Sequence, residues 1–137
     1  MKTLLLILAT AAFAASPSSA NSYATARTNA ALQCRHADQV IPKRIRFARG
    51  RTTTVIKDTV RLCTSHEYSL RASAGQTMSV HLATGKKTSF TLQSPSGPIE
   101  DADGVKDWSG ELPEAGEYVI VIGTDATAAY TLEVTIR

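Results

Sequence analysis

The stretch at residues 67–83, EYSLRASAGQTMSVHLA, decides the fold class of this chain. Apolar side chains alternate with polar ones over residues 67–72 and again over residues 77–83, on either side of the Gly-containing segment 73–76. Alternation with a period of two is typical of strands that bury one face. The pattern predicts two half-buried antiparallel strands joined by a short loop. Because each would leave an apolar face in water, a second layer must cover them.

The remaining strands follow from the same alternation. They are predicted at residues 43–48, 51–62, 89–93, 118–122 and 130–136, with 105–112, which holds Trp108, as a further candidate. Residues 118–122 are apolar at every position, which is typical of a strand central in a sheet or buried on both faces. Turn signals every eight to twelve residues then predict an antiparallel β-sandwich of the jelly-roll or a related kind, with seven to eight strands.

One position conflicts with the strand at residues 51–62. Asp58 shares a parity with the apolar residues Ile56 and Val60, and burying an unpaired carboxylate is costly. We therefore expect a bulge or a strand edge at residues 57–58.

The N-terminus has the pattern of an export signal. Lys2 precedes an apolar run at residues 4–15, and Ser18-Ser19-Ala20 has the small-x-small form of a cleavage site. We expect residues 1–20 to be a signal peptide, residues 21–42 an N-terminal arm, and residues 43–137 the sandwich domain. No later run is long and apolar enough to span a bilayer, so the mature protein is expected to be periplasmic or secreted.

The two cysteines, Cys34 and Cys63, are 29 positions apart. In an exported chain a disulfide is the default expectation. It would join the arm to a core strand and stabilise the fold by about 3.6 kcal/mol in the chain-entropy model.

Charge is distributed unevenly along the chain. Residues 27–87 carry twelve lysines and arginines against three acids, a net charge of +9, whereas residues 88–137 carry a net charge of −7. Either the two halves neutralise each other across the sandwich, or one surface is a functional patch. The candidate basic face comprises Arg44, Arg46, Arg49 and Arg51. A nucleic-acid partner is not expected, because Phe47 is the only interleaved aromatic residue; an anionic glycan or envelope surface, or a solvated edge that blocks aggregation, fits the pattern.

Sequence motifs for catalysis and metal binding are weak. His36, His66 and His81 lack the spacing of a metal pair and are expected at the surface, and no Gly-x-Ser-x-Gly motif occurs. The acidic segment at residues 101–107 has oxygen ligands at alternate positions, as calcium loops do, but it lacks the distal Glu of an EF-hand. We expect no enzymatic activity and no cofactor.

Several motifs together carry a family resemblance, and most of their residues are inward-facing strand positions or turn glycines. They are Ile45-Arg46-Phe47-Ala48-Arg49-Gly50, Tyr68-x-Leu70-x-Ala72-x-Ala74-Gly75-Gln76-x-Met78-x-Val80, Phe90-x-Leu92-x-x-Pro95-x-Gly97, Trp108-x-Gly110-x-Leu112-Pro113-x-x-Gly116-x-Tyr118-x-Ile120 and Tyr130-Thr131-Leu132. The chain resembles the bacterial pre-peptidase C-terminal-like β-sandwiches. Within that group it is most similar to the periplasmic inhibitors of goose-type (g-type) lysozyme and their exported relatives.

The resemblance implies a non-catalytic protein that recognises a lysozyme through its loops. An acidic surface could complement a basic enzyme, and the candidate contact residues on this chain are Ser96, Gly97, Glu100, Asp101, Asp103 and Asp107. Residues 123–129 depart from the inhibitors, which carry a longer segment with several arginines there. The loops at 96–107 and 123–129 should therefore decide whether the chain inhibits a lysozyme. The alternative to an inhibitor is an envelope- or glycan-binding module, or a purely structural one, that uses the basic face.

Overall fold

The computed structural model describes residue 34, residues 39–85 and residues 87–137. These residues form nine strands and one short 3₁₀ helix, Glu100–Ala102. The strands are β1 Gln39–Arg44, β2 Thr53–Val60, β3 Thr64–Ala72, β4 Thr77–Thr84, β5 Thr88–Ser94, β6 Gly97–Pro98, β7 Asp107–Glu111, β8 Gly116–Thr124 and β9 Ala128–Ile136. The expected signal peptide and most of the expected arm lie outside the described residues. No helix in the described part of the chain is long and apolar enough to cross a bilayer.

Two sheets pack face to face. One has five strands in the order β1-β3-β8-β5-β6, and the other has four in the order β2-β9-β4-β7. All neighbours are antiparallel except β1 and β3, which run parallel. The predicted β-sandwich is thus confirmed. The structure adds the short strand β6, and β1 begins earlier in the chain than the first predicted strand. Strand β8 lies at the centre of its sheet, as its apolar run predicted.

The prediction for residues 67–83 is wrong in one respect. Strands β3 and β4 do alternate as expected, but they do not pair with each other; β3 lies between β1 and β8, and β4 lies between β9 and β7. The connection at residues 73–76 therefore crosses from one sheet to the other. Each strand buries its apolar face against the opposite sheet, so the two strands supply both layers of the sandwich.

The core fills the space between the sheets. Buried side chains alternate with more exposed ones along β3, β4, β5, β8 and β9. The largest fully buried side chains include Tyr68, Met78, Leu82, Phe90, Leu92, Leu112, Tyr118, Ile120, Ile122 and Leu132. Burying a large apolar side chain stabilises the folded state by about 1.5–3 kcal/mol. Inter-sheet burial of these residues is therefore the main favourable term for the fold.

The first two strands differ in detail from their predictions. Strand β1 begins at Gln39, inside the expected arm, and ends at Arg44. Ile45 still faces the core, and its N–H donates to the carbonyl of Ser69 at 2.9 Å. Strand β2 pairs with β9 in continuous register, without the bulge expected at residues 57–58, but it is an edge strand, which was the other expectation.

Candidate functional site

The turn after β5 holds the predicted contact residues Ser96 and Gly97 against a neighbouring loop. The carboxylate of Glu114, between β7 and β8, accepts hydrogen bonds from the Ser94 hydroxyl at 2.9 Å, from the Ser96 backbone N–H at 3.0 Å and from the Ser96 hydroxyl. These donors, with the Ser96 hydroxyl first, lower the pKa of Glu114 below its usual value. At neutral pH the carboxylate is ionised and can accept all three bonds.

A close approach of two loops completes this arrangement. Gly116 has a φ of +151°, which favours glycine, and a Cβ built there would lie 2.5 Å from Cγ of Pro95. The hydroxyl of Tyr118 donates to the Glu114 carbonyl at 2.7 Å. The turn carrying Ser96 is thus packed on a loop that is itself tied to the core, and the Ser96 side chain is exposed to solvent.

The predicted acidic residues differ in their hydrogen-bond and ion-pair partners. Glu100 and Asp101 are exposed in the 3₁₀ helix. Asp103 accepts a hydrogen bond from the Thr91 hydroxyl at 2.7 Å, beside the five-stranded sheet. Asp107 begins β7 in the four-stranded sheet and pairs with His81. The calcium-like segment is therefore divided among separate partners, and within the described ranges no three His, Cys, Asp or Glu side chains converge as metal ligands.

The basic face is exposed along its whole length. Arg44 and Arg46 flank the buried Ile45 and so lie on the outer face of the five-stranded sheet, and Arg49 and Arg51 follow in the loop to β2. Among the described arginines, none has a carboxylate oxygen within 4.0 Å. Within the described residues, the basic and acidic halves of the sequence therefore do not neutralise each other through arginine ion pairs.

A polar cluster lies between the sheets, where β2 and β9 approach β1 and β3. The Tyr130 hydroxyl lies 2.6 Å from Nδ1 of His66 and 2.7 Å from the Tyr68 hydroxyl. Tyr68 donates to Oδ2 of Asp58 at 3.4 Å, and Asp58 forms an ion pair with Lys43. The expectation that His66 is a surface residue is wrong, since it is 3% exposed. His81 is exposed as expected, and His36 lies outside the described residues.

Burial and hydrogen bonding set the charge states in this polar cluster. Burial lowers the pKa of His66, and the Lys43 ammonium adds to the effect. Burial raises the pKa of Tyr68 and of Tyr130. Burial alone would raise the pKa of Asp58, but hydrogen bonds from Lys43 and a backbone N–H bring it below its usual value. The same hydrogen bond with Asp58 raises the pKa of Lys43. At neutral pH the cluster therefore holds one ion pair, a neutral imidazole and neutral phenols, which is a structural network without an activated nucleophile.

Sequence reasoning missed three features of these sites. Glu114 belongs to a turn signal and has no local pattern that reports its serine partners. His66 and Tyr130 are 64 residues apart, so only the tertiary fold brings them together. Arg71 is exposed on β3, on the same outer face as Arg44, and so belongs beside the basic face. The signal in the sequence that could have found it is its parity with Ser69, two positions earlier in the alternating strand.

Three solved structures share this fold. PliG of Aeromonas hydrophila, a periplasmic lysozyme inhibitor of g-type lysozyme, is 26% identical with a TM-score of 0.66, over 74% of this chain and 100% of that chain. PliG of Salmonella Typhimurium is 16% identical with a TM-score of 0.58, over 70% and 97% of the two chains. A mutant of the Escherichia coli protein is also 16% identical, with a TM-score of 0.55 over 72% and 99%.

Two further comparisons found no match. No protein-family model matches the chain, and no curated protein matches it. The three structural neighbours are inhibitors, not enzymes, and each is matched over 97% or more of its own length. The chain therefore has the β-sandwich fold of the PliG periplasmic inhibitors of g-type lysozyme.

Proposed function

We propose that this protein is an exported, non-catalytic inhibitor of a g-type lysozyme that acts in the periplasm. The observation that carries the proposal is the match to the A. hydrophila inhibitor, which is complete over that chain at 26% identity and a TM-score of 0.66. The side chains of His66, Tyr68 and Tyr130 in the inter-sheet polar cluster are buried between the sheets, where they bond to one another and do not face a partner.

The contact surface proposed is the turn of Ser96 and Gly97 together with the exposed acids Glu100 and Asp101. Three hydrogen bonds to Glu114 hold this turn before any partner arrives. Binding by a pre-organised loop avoids much of the entropy cost of ordering it in the complex. The adjacent carboxylates would complement a basic enzyme rim and favour rapid association.

Titration of a g-type lysozyme with the chain lacking residues 1–20 tests this function. Turnover is followed as the clearing of a cell-wall suspension, with a chicken-type lysozyme as the specificity control. We expect stoichiometric loss of g-type activity at micromolar protein and little loss of chicken-type activity. Unchanged g-type turnover at a tenfold molar excess of the folded protein would reject inhibition.

A matched pair of variants tests the role of the turn. Glu114→Ala removes the acceptor of three hydrogen bonds and loosens the turn, so we expect inhibition about three- to tenfold weaker. Glu111→Ala removes the same charge from an exposed site on the edge strand β7 and should inhibit as the parent does. Equal effects of the two variants would show that charge, and not the held turn, governs recognition. Melting curves of both variants verify that they are folded.

A further inference from the structure

Five exposed arginines lie on or next to β1 and β3, at one edge of the five-stranded sheet. Arg44 and Arg46 lie two positions apart on the outer face of β1 and its extension, about 6.6 Å along the chain. Arg44 pairs with Ser69 on β3, and the Ile45 N–H continues this register, which places Arg46 beside Arg71. Adjacent strands are about 4.8 Å apart. Arg49 and Arg51 extend the track into the loop to β2; we call these five residues the arginine track.

The arginine track is not neutralised within the described part of the chain. Glu117 lies opposite Arg71 on β8, and Glu67 lies opposite Pro42 on the same outer face, but neither carboxylate comes within 4.0 Å of a guanidinium. Like charges directly opposite each other destabilise a sheet. Glu117, directly opposite Arg71, offsets part of any such repulsion, and an anionic ligand would neutralise the guanidinium groups that form no ion pair.

We infer that the arginine track binds a linear acidic polysaccharide, with carboxylate or sulfate groups as the recognised chemistry. A guanidinium donates two parallel hydrogen bonds to such groups. The track is extended and not a closed pocket, so it fits a chain of repeated charges better than a single anion. The arginine track shares no residue with the turn of Ser96 and Gly97, and a protein that uses both would be retained on envelope glycan while it captures a lysozyme.

Other polyanions fit the face less well. Binding of single-stranded nucleic acid normally uses aromatic stacking platforms, and membrane-surface binding uses exposed aromatic or bulky apolar anchors. In the described ranges, every tryptophan, tyrosine and phenylalanine side chain is buried or half-buried. The apolar residue most exposed near the track, Val40, is a single small side chain at the strand edge. The arginine track can therefore pair with anionic groups, but it has no aromatic side chain for stacking on bases and no bulky apolar side chain for insertion into a membrane.

Fluorescence anisotropy with labelled heparin and labelled polygalacturonate tests the inference, with dextran as the uncharged control. The parent chain lacking residues 1–20 should bind both acidic polymers at low salt, weaken steeply as salt rises, and ignore dextran. Saturating polymer should also raise the melting temperature. The double variant Arg46→Gln/Arg71→Gln should bind about two- to fivefold more weakly for each arginine removed, while its inhibition of g-type lysozyme is unchanged.

The matched control is Lys57→Gln/Arg61→Gln, which removes two positive charges from β2 and the loop after it, away from the track. It should bind the acidic polymers as the parent does. Equal weakening by the two double variants would overturn the inference, since net charge alone would then explain binding. Tighter binding to anionic lipid vesicles, or equal binding to a DNA oligonucleotide at the same salt, would overturn it too. If the parent chain bound neither acidic polysaccharide, the inference would also be overturned, whereas the proposal of lysozyme inhibition would still stand.

Discussion

His66 is buried between the two sheets, although its place beside Cys63 in the sequence suggests a loop. Its imidazole contacts the Tyr130 hydroxyl, and Oδ2 of Asp58 lies 3.7 Å from Nδ1. Burial disfavours the charged imidazolium, which is why the pKa of His66 is lowered. The folded chain therefore keeps this side chain neutral at a pH where the unfolded chain would protonate it.

This difference predicts a pH dependence of stability. Because the folded-state pKa of His66 lies below the unfolded value of about 6.5, its contribution is fully present above that value. It is lost as the pH falls through the folded-state pKa. We expect the free energy of unfolding in urea to fall between pH 7 and pH 5.

His66→Gln should be less stable at pH 7 and should show a smaller loss between the two pH values. If His66→Gln loses as much stability as the parent over this range, the pH dependence arises elsewhere.

The environment of Asp58 could be predicted in part from the sequence. Its parity with Ile56 and Val60 marks it as an inward carboxylate that needs a partner, and the structure supplies Lys43 from the other sheet. Lys43 is 15 positions away and is itself an inward position of β1. Local parity can indicate the need for a partner, but only the packing of β1 over β2 identifies it.

At the scale of elements, the connection between β3 and β4 determines the architecture. In a hairpin, residues 73–76 would join paired neighbours; here they carry the chain from one sheet to the other. Gln76 fixes the bend, since its side-chain carbonyl accepts a hydrogen bond from the Ser73 N–H at 2.7 Å. The Gly75 N–H donates to the carbonyl of Leu112 at 2.9 Å and ties the bend to the chain leaving β7.

Two glycines offer a matched test of this bend. Gly75 has a φ of +80°, so Gly75→Ala places a side chain in the left-handed region and should lower the free energy of unfolding by about 1–2 kcal/mol. Gly85, after β4, lacks a left-handed φ, and nothing lies within 4 Å of a Cβ built there. Gly85→Ala should therefore be neutral or stabilise by about 0.4–1 kcal/mol. Urea unfolding measures both, and an equal loss at the two sites would contradict the backbone explanation.

At the scale of the whole molecule, one covalent bond joins the N-terminal region to the sandwich. Cys34 and Cys63 form the predicted disulfide, with their Cα atoms 5.3 Å apart. Cys63 also accepts a hydrogen bond at its carbonyl from the Gln39 N–H at 3.1 Å, at the start of β1. The bond therefore lies where the parallel strand β1 joins the edge of its sheet.

The double variant Cys34→Ser/Cys63→Ser should lose about 3–4 kcal/mol of unfolding free energy, because the unfolded chain gains the freedom of an open loop. Urea unfolding with and without a reductant measures the effect. The reductant should lower the stability of the parent by a similar amount and leave the variant unchanged. A variant as stable as the oxidised parent would show that β1 is held by its backbone pairing alone.

The sequence by itself determined the fold class, most of the strand positions, the inward-facing residues and the disulfide. These depend on the alternation of side chains along each strand and on cysteine number, which are local or compositional properties. Only the tertiary structure decided that β3 and β4 lie in different sheets, that His66 meets Tyr130, that Glu114 holds the turn of Ser96 and that Arg71 joins the arginine track. Strand partners and inter-sheet contacts join residues far apart in the chain, and alternation reports which face a side chain occupies but not which strand lies beside it.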